Sequence, residues 1–443
     1  MQGSYRLVRV RDCKFLYFPP LMSAPKGPGG RSPLLFIFLT VFIDLLGFGI
    51  VIPLLPIYSQ YFGASEWQLG LLFSCFSGMQ FLFAPLWGRL SDRIGRKPVL
   101  VGGLIGSAAS YALFAYADTL GLLFASRLLA GFFGANISSA QAYIADVTTE
   151  ENRAKGMGLL GAAFGLGFTF GPLLGGVLSG MHADPATLPP APGLAAAGLS
   201  LAAALFGALT LVEPARQPGS GRVFSLDAVR EASAEPRIGL MILLNFLNIF
   251  AFACFEGMFT RFGLALFPEQ FGQSGPIEHA TQADILKAAP IAGYYLFGIG
   301  IVSALIQGGF IRRLVPRYGE TLLAMVGPLL LALAMAGIGA APSWTMVLIA
   351  CGLMPFGFGL SNPSVNSLLS RAAPKERQGA FLGINQSAAS LARMSGPPLA
   401  GLCFAVSPRL PFFLAAGVLL LAFLIGQHYH RRYAASFPRH TGA

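Results

Sequence analysis

Charge is what this sequence has least of. Only 11% of its 443 residues are Asp, Glu, Lys or Arg, against roughly a quarter in a soluble domain. Acids are the scarcer kind, 19 against 30 bases. Cysteine is sparse and scattered, at positions 13, 75, 254, 351 and 403, with no CxxC pair. That excludes a disulfide framework and the common zinc-site spacing. His428 and His430 flank Tyr429 in a basic tail, a setting that reads as solvated rather than metal-binding. Residues 1–21 lack the long apolar core and small-residue cleavage site of a signal peptide. Met22 opens "MSAPKGPGGRSP", so Met22 is the expected start and 1–21 an over-extended reading frame, the alternative being a disordered basic tail. No P-loop, HExxH or GxSxG is present, which leaves an enzyme reading without support. No cofactor and no metal site is expected.

What is abundant is apolar: 54% of residues, with a mean hydropathy of +0.65. Runs near the ~20 residues that cross a bilayer as a helix fall at 33–58, 68–88, 98–117, 119–145, 154–180, 191–213, 237–262, 285–311, 320–341, 343–371, 378–405 and 408–430. The fold class is therefore all-α integral membrane, with twelve spans and a lipid bilayer as solvent. Net charge is +11, but 25 of the 30 basic residues fall in the termini and alternate loops that share one side. Only Arg261, Lys287 and Arg409 lie on the other, and Arg127 and Arg393 fall inside spans. Basic residues mark the cytoplasmic side, so both termini are expected inside, in a multi-pass protein of the inner (plasma) membrane. The charge is an orientation signal, and no nucleic-acid partner is expected.

The chain repeats itself. "GANISSAQAYIADVTTEENRAKGMGLLGAAFGLGFTFGPLLGG" (134–176) echoes "GLSNPSVNSLLSRAAPKERQGAFLGINQSAASLARMSGPPLAG" (359–401), with Gly134/Gly359, Gly158/Gly383, Gly171/Gly396 and Pro172/Pro397 all 225 apart. A fainter echo links "GRLSDRIGRKPVL" (88–100) to "RRLVPRYGETLLA" (312–324), which has Pro316 where Asp92 stands. The expected plan is a cytoplasmic extension (1–32), a six-helix half (33–213), a cytoplasmic linker (214–236), a second half (237–430) and a tail (431–443). Parallel six-helix halves handling substrate at their midplane interface is a transporter plan.

Four ionisable residues fall inside spans: Asp44, Arg127, Glu256 and Arg393. Each costs roughly 2.5–3.5 kcal/mol to insert, so each needs a partner or a wet cavity. At ~1.5 Å per residue, Asp44 and Arg127 both lie about 15 Å deep, and a direct pair that loads or releases a proton is expected, a permanent structural pair being the alternative. Glu256 is either a second proton carrier, a partner for cationic substrate, or an interfacial residue near Arg261. Arg393 is read as bonding backbone carbonyls or Glu256 rather than substrate. Buried amides must face protein or water, which makes Gln80, Asn136, Gln141, Asn245, Asn248, Asn362, Asn366, Asn385 and Gln386 candidate cavity residues. Gly165, Gly167, Gly171, Gly175 and Gly176 let helices approach closely, and Pro172 kinks the helix that carries them.

Taken together, "GRLSDRIGRKPVL", "RLLAGFFGA" (127–135) and "GLGFTFGPLLGG" (165–176) resemble the signature loop, fourth-helix motif and antiporter fifth-helix motif of the major facilitator superfamily. "FIDLLGFGIVIPLLP" (42–56), "FEGMF" (255–259) and "GINQSAASLARMSGP" (383–397) resemble its tetracycline-resistance, drug:proton antiporter branch. The resemblance spans residues 33 to about 430. It implies that helices one and four are neighbours. It also implies a latch built from Gly88, Asp92, Arg93, Gly95, Arg96 and Asp146. Asp92 would sit against the start of the eleventh helix near Gln378–Gly379, and Arg96 would pair with Asp146. The fifth-helix glycines would seal the outer half against ion leak. The reading that results is a monomeric secondary transporter, exporting a small amphiphilic, multidrug- or tetracycline-like molecule in exchange for protons. An importer or uniporter of a metabolite, or a transport-dead receptor or scaffold, are the alternatives.

Overall fold

The computed structural model describes residues 33–148, 150–182, 187–214, 230–232, 234–273, 281–306, 311–374 and 378–436. The basic lead with the expected Met22 start, most of the expected linker and the end of the tail lie outside the described residues. α1 (Pro33–Val51) passes through a 3₁₀ turn, Ile52–Leu54, into α2 (Leu55–Tyr61). Pro53 and Pro56 each withhold a backbone donor there, which interrupts the α-helical ladder. α3 (Glu66–Ile94) starts at a capping box, Ser65 accepting from the Gln68 backbone while Gln68 Oε1 accepts the Ser65 N–H at 2.8 Å. α4 (Arg96–Ala115), α5 (Leu120–Gly134), α6 (Ile137–Val147), α7 (Glu150–Gly180) and α8 (Ala191–Thr210) follow. After the linker come α9 (Pro236–Leu266), α10 (Gln282–Leu305), α11 (Ile311–Tyr318), α12 (Glu320–Ala340), α13 (Trp344–Ala372), α14 (Gln378–Val406) and α15 (Leu410–Tyr433).

Among the described residues, ten helical stretches are long and apolar enough to cross a membrane, and α7 adds the apolar segment Gly165–Gly180. With the 29-residue α14, this is consistent with twelve spans. Large apolar side chains such as Leu82, Leu209 and Ile349 point outward, where lipid rather than water suits them. The internal repeat is visible in the backbone. Gly95 joins α3 to α4 with φ +110°, and Gly319 joins α11 to α12 with φ +81°, a conformation that only glycine adopts freely.

α1 packs on α7 and α8, α4 on α5 and α8, and α3 on α5. In the second group α12 lies against α13 and α15, and α9 against α14 and α15. Two seams join the groups, α7 with α10 and α3 with α14. Both need bare backbone: a Cβ on Gly293 would strike the Pro172 carbonyl, and one on Gly70 the Pro397 carbonyl. Ser74 Oγ donates to the Met394 carbonyl, and Arg261 grips Glu66 with Nε at 2.9 Å from both carboxylate oxygens and Nη2 at 2.7 Å. These contacts cluster at the end of the molecule holding Glu66 and Pro290.

Candidate functional site

Between the two groups, past the seams, lies a cavity walled by both. Asp44, Arg127 and Gln80 reach it from the first group, and Glu256, Gln386 and Arg393 from the second. Phe48, Phe73, Phe76, Phe168 and Tyr111 supply apolar surface between them. All four membrane-embedded ionisable residues thus open on one space. A second, larger groove between α12 and α13, lined by Ala341, Met346, Ile349 and Phe356, carries no charge and faces outward.

The expected Asp44–Arg127 pair is not formed, since no ion pair within 4.0 Å joins them. Asp44 instead accepts a hydrogen bond from Ser200 Oγ of α8 at 3.1 Å. Arg127, only 1% exposed, lies over two α4 rings, 5.0 Å from the Phe114 centroid and 5.7 Å from Tyr111. Phe114 is in turn stacked on Tyr58 at 5.1 Å, and the Tyr58 hydroxyl donates to the Pro189 carbonyl at 2.8 Å. A desolvated cation over two ring faces is stabilised by about 2 kcal/mol or more, which is how α4 holds Arg127 without a carboxylate. Its Nε reaches Ser126 Oγ at 3.5 Å and its Nη2 has no hydrogen-bond partner. Across the cavity Glu256 and Arg393 attract each other without an ion pair inside 4.0 Å. The expected bonds from Arg393 to carbonyls are not among its described contacts. Arg261 is committed to Glu66 rather than to the neighbourhood of Glu256.

Of the nine amides, only Gln80 and Gln386 line the cavity. Gln80 also donates to the Gly134 carbonyl at 3.2 Å. Most of the rest bond one another, a serine or the backbone, as buried amides tend to, although Asn248 Oδ1 is left without a partner. Asn245 donates to Asn385 at 3.0 Å, Asn385 to Asn366 at 2.9 Å, and Asn366 to Asn362 at 3.0 Å, a chain tying α9, α14 and α13. Asn248 donates to Ser361 Oγ at 2.7 Å, and Asn136, at the break between α5 and α6, to the Leu100 carbonyl at 3.4 Å. Gln141 is half-buried on α6, away from the cavity lining. Helical spacing placed each pair on a common face, but a shared face can meet a neighbouring helix as readily as water.

At the far end, Arg96 bonds Asp146 at 2.9 Å, Asp92 at 2.6 Å and Ser91 Oγ at 2.6 Å. The residue that sequence reasoning missed is Glu213, at the end of α8. Its two oxygens accept the backbone N–H groups of Arg96 (2.6 Å) and Lys97 (2.9 Å), capping α4. A carboxylate there meets the positive end of the helix dipole. The lone acid in "LVEP" was the available signal. Gly95 belongs to this contact, because a Cβ would lie 2.8 Å from the carboxylate. Gly88 accepts from Ser91 Oγ through its carbonyl at 2.8 Å, and Arg93 is exposed. The side chains of Gln378 and Gly379, where Asp92 was expected to dock, lie outside the described residues.

Of the fifth-helix glycines, Gly167, Gly171 and Gly175 press on the α1 backbone at Leu45, Gly49 and Ile50, while Gly176 meets Pro290 of α10. Gly165 is the correction: nothing lies within 4 Å of where its side chain would be, so it takes no part in the packing.

Two helical groups packed around a cavity that all four intramembrane charged residues line make a carrier geometry, and likeness to known proteins says which kind. The Major Facilitator Superfamily profile matches residues 37–397 and 323–437. The chain is a member of that superfamily. It is a multi-pass membrane transporter of small molecules and not an enzyme. It is similar to Multidrug resistance protein 1 of Bacillus subtilis (30% identical, covering 86% of this chain and 92% of the relative). It is also similar to the class C tetracycline resistance protein of Escherichia coli (32%, covering 85% and 91%). Among solved structures, the human organic anion transporter MFSD10 superposes with a TM-score of 0.65 at 26% identity, over 90% of this transporter and 100% of that chain.

Proposed function

We propose that this transporter exports a small amphiphilic compound in exchange for protons, by alternating access of its two six-helix groups. The observation that carries the reading is the placement of Asp44 and Glu256 on opposite walls of one cavity. Carboxyls whose exposure to water changes as the walls part can bind a proton on one side and release it on the other. Relatives named for tetracycline and multidrug resistance support drug-like cargo, and the aromatic lining suits an amphiphile. The distribution of basic residues supports both termini lying in the cytoplasm of an inner-membrane protein, which works as a monomer in this reading. The Glu66 end then faces outward, and the seams and Glu66–Arg261 close the outer gate. Closing the cytoplasmic gate brings Asp92 against the start of α14, while Arg96 and Asp146 hold the loop in position.

The test is efflux from proteoliposomes under an imposed pH gradient, with tetracyclines among a chemically diverse set. Wild type accumulates substrate only with the gradient, and Asp44→Asn and Glu256→Gln lose that dependence. Full gradient-driven export by Asp44→Asn removes it as a proton site. Accumulation by wild type without a gradient replaces exchange with facilitated diffusion.

A further inference from the structure

The charge arrangement in the cavity narrows the cargo. Arg127 is 1% exposed, lies on the cavity wall, has no carboxylate within 4.0 Å among the described residues, and leaves Nη2 without a partner. Glu256, on the opposite wall, has no hydrogen bond and no ion pair within 4.0 Å among the described residues. A buried guanidinium with a free donor is costly unless something else completes it. Arg127 is held by ring faces, which stabilise the charge but accept none of its in-plane hydrogen bonds. Asp44, which could have accepted them, is turned to Ser200.

We infer that the transported molecule is a zwitterionic amphiphile, whose anionic group seats on Arg127 and whose cationic group faces Glu256 across the aromatic lining. A carboxylate suits a guanidinium fork because two oxygens meet two donors in one plane. A cationic group beside Glu256 competes with a proton for the same carboxyl, so this assignment deepens the exchange reading and rests on it. A purely anionic molecule leaves Glu256 repelling it, and a purely cationic one leaves Arg127 uncompleted.

The experiment uses the full-length transporter in lipid nanodiscs and four versions of one scaffold: aminomethyl-biphenyl carboxylic acid, its methyl ester, its N-acetyl derivative and the N-acetyl methyl ester. These present both charges, the cation alone, the anion alone and neither. Binding is read by isothermal calorimetry. The zwitterion is expected to bind about tenfold tighter than either singly charged form. In Arg127→Gln the zwitterion and the ester converge, and Arg127→Lys restores part of the difference. Equal affinities of zwitterion and ester for wild type, equal loss of both in Arg127→Gln, or no binding by any of the four overturns the zwitterion assignment. Gradient-driven efflux, measured on the same preparation with the diverse set, bears on export alone, so the two readings fail separately.

Discussion

Glu320 and Arg371 repeat the Arg96–Asp146 ion pair with the charges exchanged. Arg371 Nη1 lies 2.9 Å from Glu320 Oε2, as Arg96 Nε lies 2.9 Å from Asp146 Oδ2. Residues 96 and 320 each open the helix after a positive-φ glycine, and residues 146 and 371 lie near the ends of the spans they pair with. The polarity difference has a physical source. At the start of α12 Glu320 supplies the carboxylate that a helix N-terminus favours. At the start of α4 the helix's own residue is an arginine, and Glu213 brings the carboxylate from α8.

The two pairs should therefore respond differently to charge reversal. Glu320→Arg with Arg371→Glu keeps the pair but loses the dipole contribution, about 0.5 kcal/mol, and the hydrogen bond that Glu320 accepts from Ser367 Oγ at 2.6 Å, about 1 kcal/mol. Arg96→Glu with Asp146→Arg places a carboxylate beside Asp92, which loses its partner, and near Glu213, which keeps its backbone N–H donors but gains a like charge. Thermal unfolding in detergent checks this: the first double variant melts slightly below wild type, and the second well below the first.

Glu213→Gln removes the charge from the α4 cap and should cost about 1 kcal/mol. Gly95→Ala should cost more, because a φ of +110° and the nearby carboxylate both oppose a side chain. Combined with Glu213→Ala, the steric part of that penalty is relieved while the backbone part stays, so the two changes are less than additive. A double-mutant cycle of melting temperatures measures the coupling.

Glu66→Gln breaks the bidentate bridge across the closed end and leaves Arg261, 13% exposed with Nη1 already unpartnered, without its counter-ion. The closed arrangement loses about 2–3 kcal/mol. In a variant carrying one reporter cysteine, Ser77→Cys on the cavity wall, labelling by an impermeant thiol reagent from the Glu66 side should rise by about tenfold or more. Glu66→Arg with Arg261→Glu should return it toward the starting rate.

Asn385 is the middle of the amide chain, so Asn385→Leu leaves the Asn245 Nδ2 and Asn366 Oδ1 atoms without these partners. The expected loss is about 1–2 kcal/mol of stability, seen as a lower melting temperature. Relative affinity among substrates is unchanged, because Asn385 does not line the cavity.

Much of this architecture was readable from pattern. Apolar run length marked the spans, the 224–225 spacing marked the repeat, and the rarity of intramembrane charge pointed to Asp44, Arg127, Glu256 and Arg393, which do share a cavity. What pattern could not supply was direction. Depth along a helix put Asp44 and Arg127 level with each other, but rotation turned one to Ser200 and the other onto Phe114. The same ambiguity assigned seven amides to the cavity that instead bond across or lie beside helix contacts. Glu213 escaped notice because its partners are backbone N–H groups more than a hundred positions away, which no side-chain motif encodes.

The cavity's ionisable residues number two of each sign, and this balance has an electrical consequence. With both carboxyls ionised the moving walls carry no net charge through the bilayer's field. If protons load these carboxyls as proposed, each one makes the same excursion electrically positive, worth about 2.3 kcal/mol per 100 mV. On the proposed exchange, membrane voltage acts on the proton-loaded passage and is silent on the other, so the two half-cycles would draw on different components of the proton-motive force.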